Sequence, residues 1–170
     1  MTLDATIGGV SANSYIDEAA AEIYFETVIN SDAWDNATSP NREAALITAS
    51  RLLDQNVNYF GYIAEDTQAM RWPRTLTYNQ DGVEYPDTVI PEKLKNIVCD
   101  LAMSILENGG YTASTNQFKQ MNIGSLLFKY KDPAGDGPFP PNVLEAIKLF
   151  GDYIGASTGR QPSTARLQRT

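Results

Sequence analysis

Between Pro91 and the Gly109-Gly110 pair, apolar residues fall at Leu94, Ile97, Val98, Leu101, Ala102, Ile105 and Leu106. That recurrence at i, i+3, i+4, i+7, i+8, i+11 and i+12 is one face of an α-helix. Proline is tolerated at the opening of a helix and glycine favours its end, so both boundaries are marked. A stripe this broad is the mark of a helix buried at the centre of a core. Cys99 lies beside the stripe and reads as a small buried hydrophobe.

The other helical patterns supply what could cover it. Asp17 is a good N-cap, and "EAAAEIYFETVI" predicts a helix with Ala20, Ile23, Tyr24 and Val28 inward. "NSDAWDNA" reads as a turn or a single helical turn anchored by Trp34. Ser39 as N-cap with Pro40 at the first helical position then opens "NREAALITASRLLDQ", whose stripe is Ala45, Ala49, Leu52 and Leu53. "NVLEAIKLFGDYI" predicts the last helix, with Val143, Ile147, Phe150 and Ile154 inward and Gly155 at its end. The expected fold is mainly α: a small bundle of about four helices with a long mid-chain loop, a short β element and an extended C-terminal tail. Residues 1–154 form the helical domain, and residues 155–170 form a flexible basic tail.

Two stretches break the helical pattern. Asn56 to Pro91 is rich in Tyr, Asn, Asp, Gly and Pro. Asp81-Gly82 is a turn signal, and Val83–Tyr85 reads as a short strand. A connection this long between helices is often an interaction loop. "GGYTASTNQFKQMN" reads as a polar, mobile loop, followed by "IGSLLFKYK" as a strand in which Lys129 and Lys131 alternate with Phe128 and Tyr130.

The composition narrows the chemistry. The chain has 170 residues and no histidine, which removes Ser-His-Asp and Cys-His machinery and imidazole ligation of zinc. One cysteine permits no internal disulfide, and a reducing compartment fits. Walker-type, dinucleotide and EF-hand signatures are missing. Glu65-Asp66 and the Asp132, Asp136 pair read as solvated acidic surface rather than a metal site. The expectation is therefore not an enzyme, with no catalytic residues, no metal and no cofactor. No apolar run approaches a membrane span, and "MTLDATIGGV" lacks the basic start and apolar core of a secretory signal.

Charge is unevenly spread. The net charge is −8, yet residues 155–170 hold Arg160, Arg166 and Arg169 and no acid. That leaves ten basic groups against 21 acidic ones in residues 1–154, a net charge of −11. An acidic body argues against general phosphate binding, and the basic tail suits docking on an acidic neighbour. In "AMRWPRTLTY" the aromatic-basic mixture of Arg71, Trp72 and Arg74 admits three readings: nucleic-acid stacking, a protein interface, or local packing. The surrounding acids Glu65, Asp66, Asp81, Glu84, Asp87 and Glu92 favour the last two. Trp72 is expected to pin the long loop to the helical core, with Arg71 and Arg74 bridging to acidic groups within the subunit or across an interface.

The order of elements "ANSYID…AEIYF", "AWDNA", "EAALITASRLLD", "DTQAMRWPRT", "DGVEYPDTVIPEKLKNIVCDLA" and "IGSLLFKY" resembles a family of tailed-phage head–tail connector proteins, the adaptor or head-completion proteins. Some members carry the label DnaT-like single-stranded DNA-binding protein. The resemblance spans roughly Ala12 to Ile154. It implies a homo-oligomeric, dodecameric ring on the portal protein, joined on its other side to a tail component. The implied place is the virion neck, after assembly in the host cytoplasm. A C-terminal segment would reach onto the portal, a role that Arg160, Arg166 and Arg169 match in sign. Genomic DNA would pass an acidic lumen without specific binding. The expected function is thus a structural head–tail adaptor. The alternative is a single-stranded DNA-binding protein using Arg71, Trp72 and Arg74, which salt-dependent binding to an oligonucleotide distinguishes.

Overall fold

The computed structural model describes residues 2–108, 119–123, 126–130 and 139–153. The tail with Arg160, Arg166 and Arg169, the Gly109-Gly110 pair, Ile154 and Gly155 lie outside them. The fold is mainly helical, with five helices among the described residues and three two-stranded antiparallel ribbons.

Helix α1, Glu18–Phe25, starts where Asp17 accepts a hydrogen bond from the Ala20 N–H at 2.7 Å. The helix is shorter than the sequence suggests. The N–H groups of Thr27 and Val28 turn back to the carbonyls of Tyr24 and Phe25, and Thr27 Oγ1 donates to Tyr24 O at 2.7 Å. Its buried side is Ala21 and Phe25, with Ala20, Tyr24 and Val28 at the margin, whereas Ile23 is 67% exposed. The expected stripe is rotated because Phe25 stacks on Trp34, ring centroids 4.5 Å apart.

Trp34 is the buried anchor of the one-turn helix α2, Asp32–Asp35. Arg42 ties this corner together. Its guanidinium lies 5.2 Å from the Trp34 ring centroid, Nε donates to Trp34 O at 3.0 Å, and Nη1 pairs with Glu22 at 2.8 Å. Arg42 belongs to helix α3, Ser39–Asn56, which buries Ala45, Leu46, Ala49, Ser50, Leu52 and Leu53. Thr38, one residue before the expected cap, holds the N-cap position, and the Ser39 hydroxyl donates to Glu18 at 2.6 Å.

Helix α4, Glu92–Glu107, follows Pro91 and occupies the centre. Every residue of the sequence stripe is buried except Leu106, which is partly buried against the core. It packs chiefly on α3, and also on α1, α2 and α5, Pro141–Ile147. Cys99 is fully buried, and burial pushes its thiol up to about 12, with the Asp100 and Glu92 carboxylates adding to the shift. That is the behaviour of a packing residue rather than a reactive thiol.

The C-terminal helix ends seven residues earlier than its apolar pattern suggests. Phe150 is buried in the following turn, and β6, Gly151–Tyr153, pairs antiparallel with β1, Val57–Tyr59, directly after α3. Glycine is required at 151, because a Cβ there would stand 2.4 Å from Asn58 O. Two further ribbons form. Strand β2, Tyr62–Ile63, pairs with β3, Arg74–Thr75, inside the long connection. Strand β4, Lys119–Ile123, pairs with β5, Leu126–Tyr130. The stretch expected as a polar loop thus contributes a strand, since Lys119 to Asn122 find partners in the apolar run that follows. The expected strand at Val83–Tyr85 is reduced to a single bridge between Tyr78 and Glu84.

Candidate functional site

Trp72 sits where the long connection meets the core. It is 1% exposed and meets three rings edge-on: Tyr59 at 6.1 Å, Tyr85 at 6.2 Å and Phe150 at 5.7 Å between centroids. Edge-to-face contacts of this kind add to what area burial alone contributes. The rings come from β1, from the segment before α4, and from the turn after α5, so one side chain joins three distant parts of the chain. The Trp72–Pro73 peptide bond is cis.

The two flanking arginines differ. Arg74 is only 8% exposed and makes no ion pair among the described residues. Its fork instead donates to three main-chain carbonyls: Nε to Phe60 O at 2.6 Å, Nη1 to Arg71 O at 3.0 Å and Nη2 to Gly61 O at 2.7 Å. The expected carboxylate partners are replaced by peptide oxygens, because the β2–β3 turn delivers three of them to the same point. Arg71 keeps an exposed side chain, while its N–H donates to Asp54 Oδ2 at 3.1 Å.

Asp54, from the last turn of α3, joins this cluster to the N-terminal lead-in. Its other oxygen accepts from the Tyr15 hydroxyl. Burial raises the Asp54 carboxyl above its ordinary value, opposed by the Tyr15 and Arg71 hydrogen bonds and by the Arg71 and Arg74 charges. Burial likewise pushes the Tyr15 and Tyr59 phenols well up. A folded-state value raised above the unfolded one contributes stability that is complete below the unfolded value of 3.8 and is lost as pH rises through the folded value. The unfolding free energy of the protein, measured against Asp54→Asn, should therefore grow as pH falls from about 7 towards 4. A difference that stays flat across that window would show that Asp54 is not desolvated.

The outer side of the same connection has another character. Phe60, Tyr62, Ile63, Leu76 and Tyr78 are exposed, Tyr62 at 69%. They are neighbours through Gly61, which has φ +66° and packs so close that a Cβ would lie 2.1 Å from Thr75 O and 3.0 Å from Leu76 O. Leu76 itself has φ 54°, a left-handed conformation that costs a branched side chain about 1–2 kcal/mol. Its N–H donates to Glu84 at 3.0 Å. Alternation in β1 and through Gly61 thus sorts the aromatics of this region. Tyr59 and Trp72 go inward, and Phe60, Tyr62 and Tyr78 go outward. Sequence alone groups all of them together, because the close approach at Gly61 has no local signature beyond the glycine. Asp54 and Tyr15 escape sequence reasoning altogether, since they lie on different elements and meet only in the fold.

Among the described residues, no group of three or more His, Cys, Asp or Glu could hold a metal ion, and no helix is long and apolar enough to cross a membrane.

Comparison with known families gives one match. The family model described as "Putative DnaT-like ssDNA binding protein" covers residues 1–170. No curated relative and no solved structure matches the chain. The match corrects the expectation of a structural head–tail adaptor, with its connector, neck and portal-binding readings. The family that spans the chain is described by single-stranded DNA binding, and nothing in the comparisons speaks for a connector. The charge argument behind the expectation averaged over the whole body, whereas contact with a nucleic acid depends on local charge and exposed rings.

Proposed function

Because the chain belongs to the DnaT-like single-stranded DNA-binding family, we propose that it binds single-stranded DNA. The family match over the full length carries this reading. The exposed Phe60, Tyr62 and Tyr78 rings support it, because unpaired bases stack on aromatic faces without regard to sequence. Trp72, buried at the centre of three rings, anchors the platform and does not touch a base. Arg71 is the exposed cation of this region, and Glu65, Asp66 and Glu84 around it keep phosphate contacts few. Stacking thus supplies most of the affinity, and the salt dependence is modest.

The test is a fluorescence-anisotropy titration of a labelled oligothymidylate at several salt concentrations. Binding is expected at low salt, weakening as salt rises, and weaker still for a duplex whose base faces are hidden. Tyr62→Ala should lose about 1–3 kcal/mol of binding free energy. Absence of binding at low salt, or equal affinity for single strand and duplex, would overturn the proposal.

A further inference from the structure

The β4–β5 ribbon differs from the rest of the chain in charge. From Asn108 to Lys131 the sequence carries Lys119, Lys129 and Lys131 and no acid, so all 21 acidic residues lie elsewhere. Three of the ten basic groups of residues 1–154 fall in this one run. The ribbon's two strands pack chiefly on each other rather than on the helices.

The pairing register orders the residues further. Lys119 stands opposite Tyr130, Met121 opposite Phe128, and Ile123 opposite Leu126. Directly opposed residues of an antiparallel pair share a face, so these six occupy one face of the ribbon. Gln120, Asn122, Leu127 and Lys129 occupy the other. Phe128 and Tyr130 are two residues apart, a spacing of about 7 Å along a strand, which leaves room for one base on each ring. Lys119 closes the same face beside Tyr130, and Lys129 lies between the two aromatics in sequence.

We infer that the β4–β5 ribbon is the arm by which this protein grips single-stranded nucleic acid, with bases stacked at Phe128 and Tyr130 and phosphates neutralised by Lys119 and Lys129. The inference rests on the proposed single-stranded DNA binding and assigns it a place. The occupant follows from charge complementarity. A lysine-bearing, acid-free ribbon on a body of opposite sign attracts a polyanion locally while the body repels it. Alternating rings and lysines are what a sequence-tolerant strand binder needs.

The experiment uses the full chain and the same labelled oligothymidylate. The double variant Lys119→Gln/Lys129→Gln removes two phosphate contacts. It should reduce the slope of log K against log salt by about 1.4, at about 0.7 per contact. Phe128→Ala should weaken binding about tenfold at an unchanged slope. Lys148→Gln on α5 serves as the reference and should leave both quantities alone. Far-UV circular dichroism and the unfolding midpoint should match the unaltered protein for all three. Binding that survives both ribbon variants with its slope intact would overturn the arm and leave the function standing. No binding by the unaltered protein would overturn both. A change in molecular mass by light scattering, with DNA affinity unmoved, would assign the face to a second copy of the chain and also overturn the inference.

Discussion

Replacing Trp72 with alanine is expected to lower the unfolding free energy by about 3–5 kcal/mol. The indole is fully enclosed, and its three edge-on neighbours Tyr59, Tyr85 and Phe150 come from segments that no helix packing holds together. Truncation leaves a cavity which those rings cannot close without moving β1, the segment before α4 and the turn after α5 at once. Urea denaturation reads the effect, and Trp34 remains as the fluorescent reporter because it sits under Arg42 in a different corner. Trp72→Phe should recover roughly half the loss, since it restores an aromatic of smaller volume. A loss below about 1 kcal/mol for the alanine variant would mean that the long connection is anchored elsewhere. Oligonucleotide binding should fall with the same variant, because the outward Phe60 and Tyr62 ride on the backbone that Trp72 holds.

Arg74→Met should cost about 2–4 kcal/mol, most of it from leaving the carbonyls of Phe60, Gly61 and Arg71 without their donor. Methionine fills much of the volume, so the loss reports the polar contacts rather than a hole. Arg74→Lys should recover only a small part, because a single ammonium cannot reach three carbonyls arranged for a planar fork. The variants also carry an electrostatic signature. The Arg74 charge helps hold the Asp54 carboxyl down against burial. Without it Asp54 rises further, and the gain in stability on acidification should begin at a higher pH than in the unaltered protein. Equal stability of Arg74→Lys and the unaltered protein would refute the three-carbonyl account.

The two substitutions share an origin. Trp72 and Arg74 flank Pro73, yet one closes the apolar core and the other satisfies the turn between β2 and β3. The outward aromatics are presented by a backbone that these neighbours fix from beneath, including a left-handed Leu76 and the tight contact at Gly61. The candidate DNA-contacting surface is thus supported from the inside by residues that never meet the ligand.

Legibility followed the range of the interaction. The buried face of α4 was readable residue by residue, as were the Asp17 cap, the Trp34 anchor and the Ala45, Ala49, Leu52, Leu53 stripe. Ile23 was misplaced because α1 is so short that a rotation of one residue leaves its pattern almost equally good, and the stacking of Phe25 on Trp34 selects the rotation. The end of α5 was misplaced because Phe150 keeps the helical spacing, while Gly151 onward gains more by pairing with β1. The functional reading erred through net charge, which hid an acid-free run of three lysines inside a strongly acidic chain.

What the sequence determined alone is the set of helices, the burial of α4 and the exclusion of histidine chemistry. All three rest on composition or on periodicity within a few turns, where backbone geometry leaves little choice. The tertiary structure decided the pairing of β1 with β6 across most of the chain, the meeting of Tyr15, Asp54 and Arg71, the exchange of carboxylates for carbonyls around Arg74, and the division of the aromatics into buried and exposed. Those depend on which distant groups arrive at the same place, and a hydrogen-bond donor or an aromatic ring carries no local mark of the partner that will satisfy it.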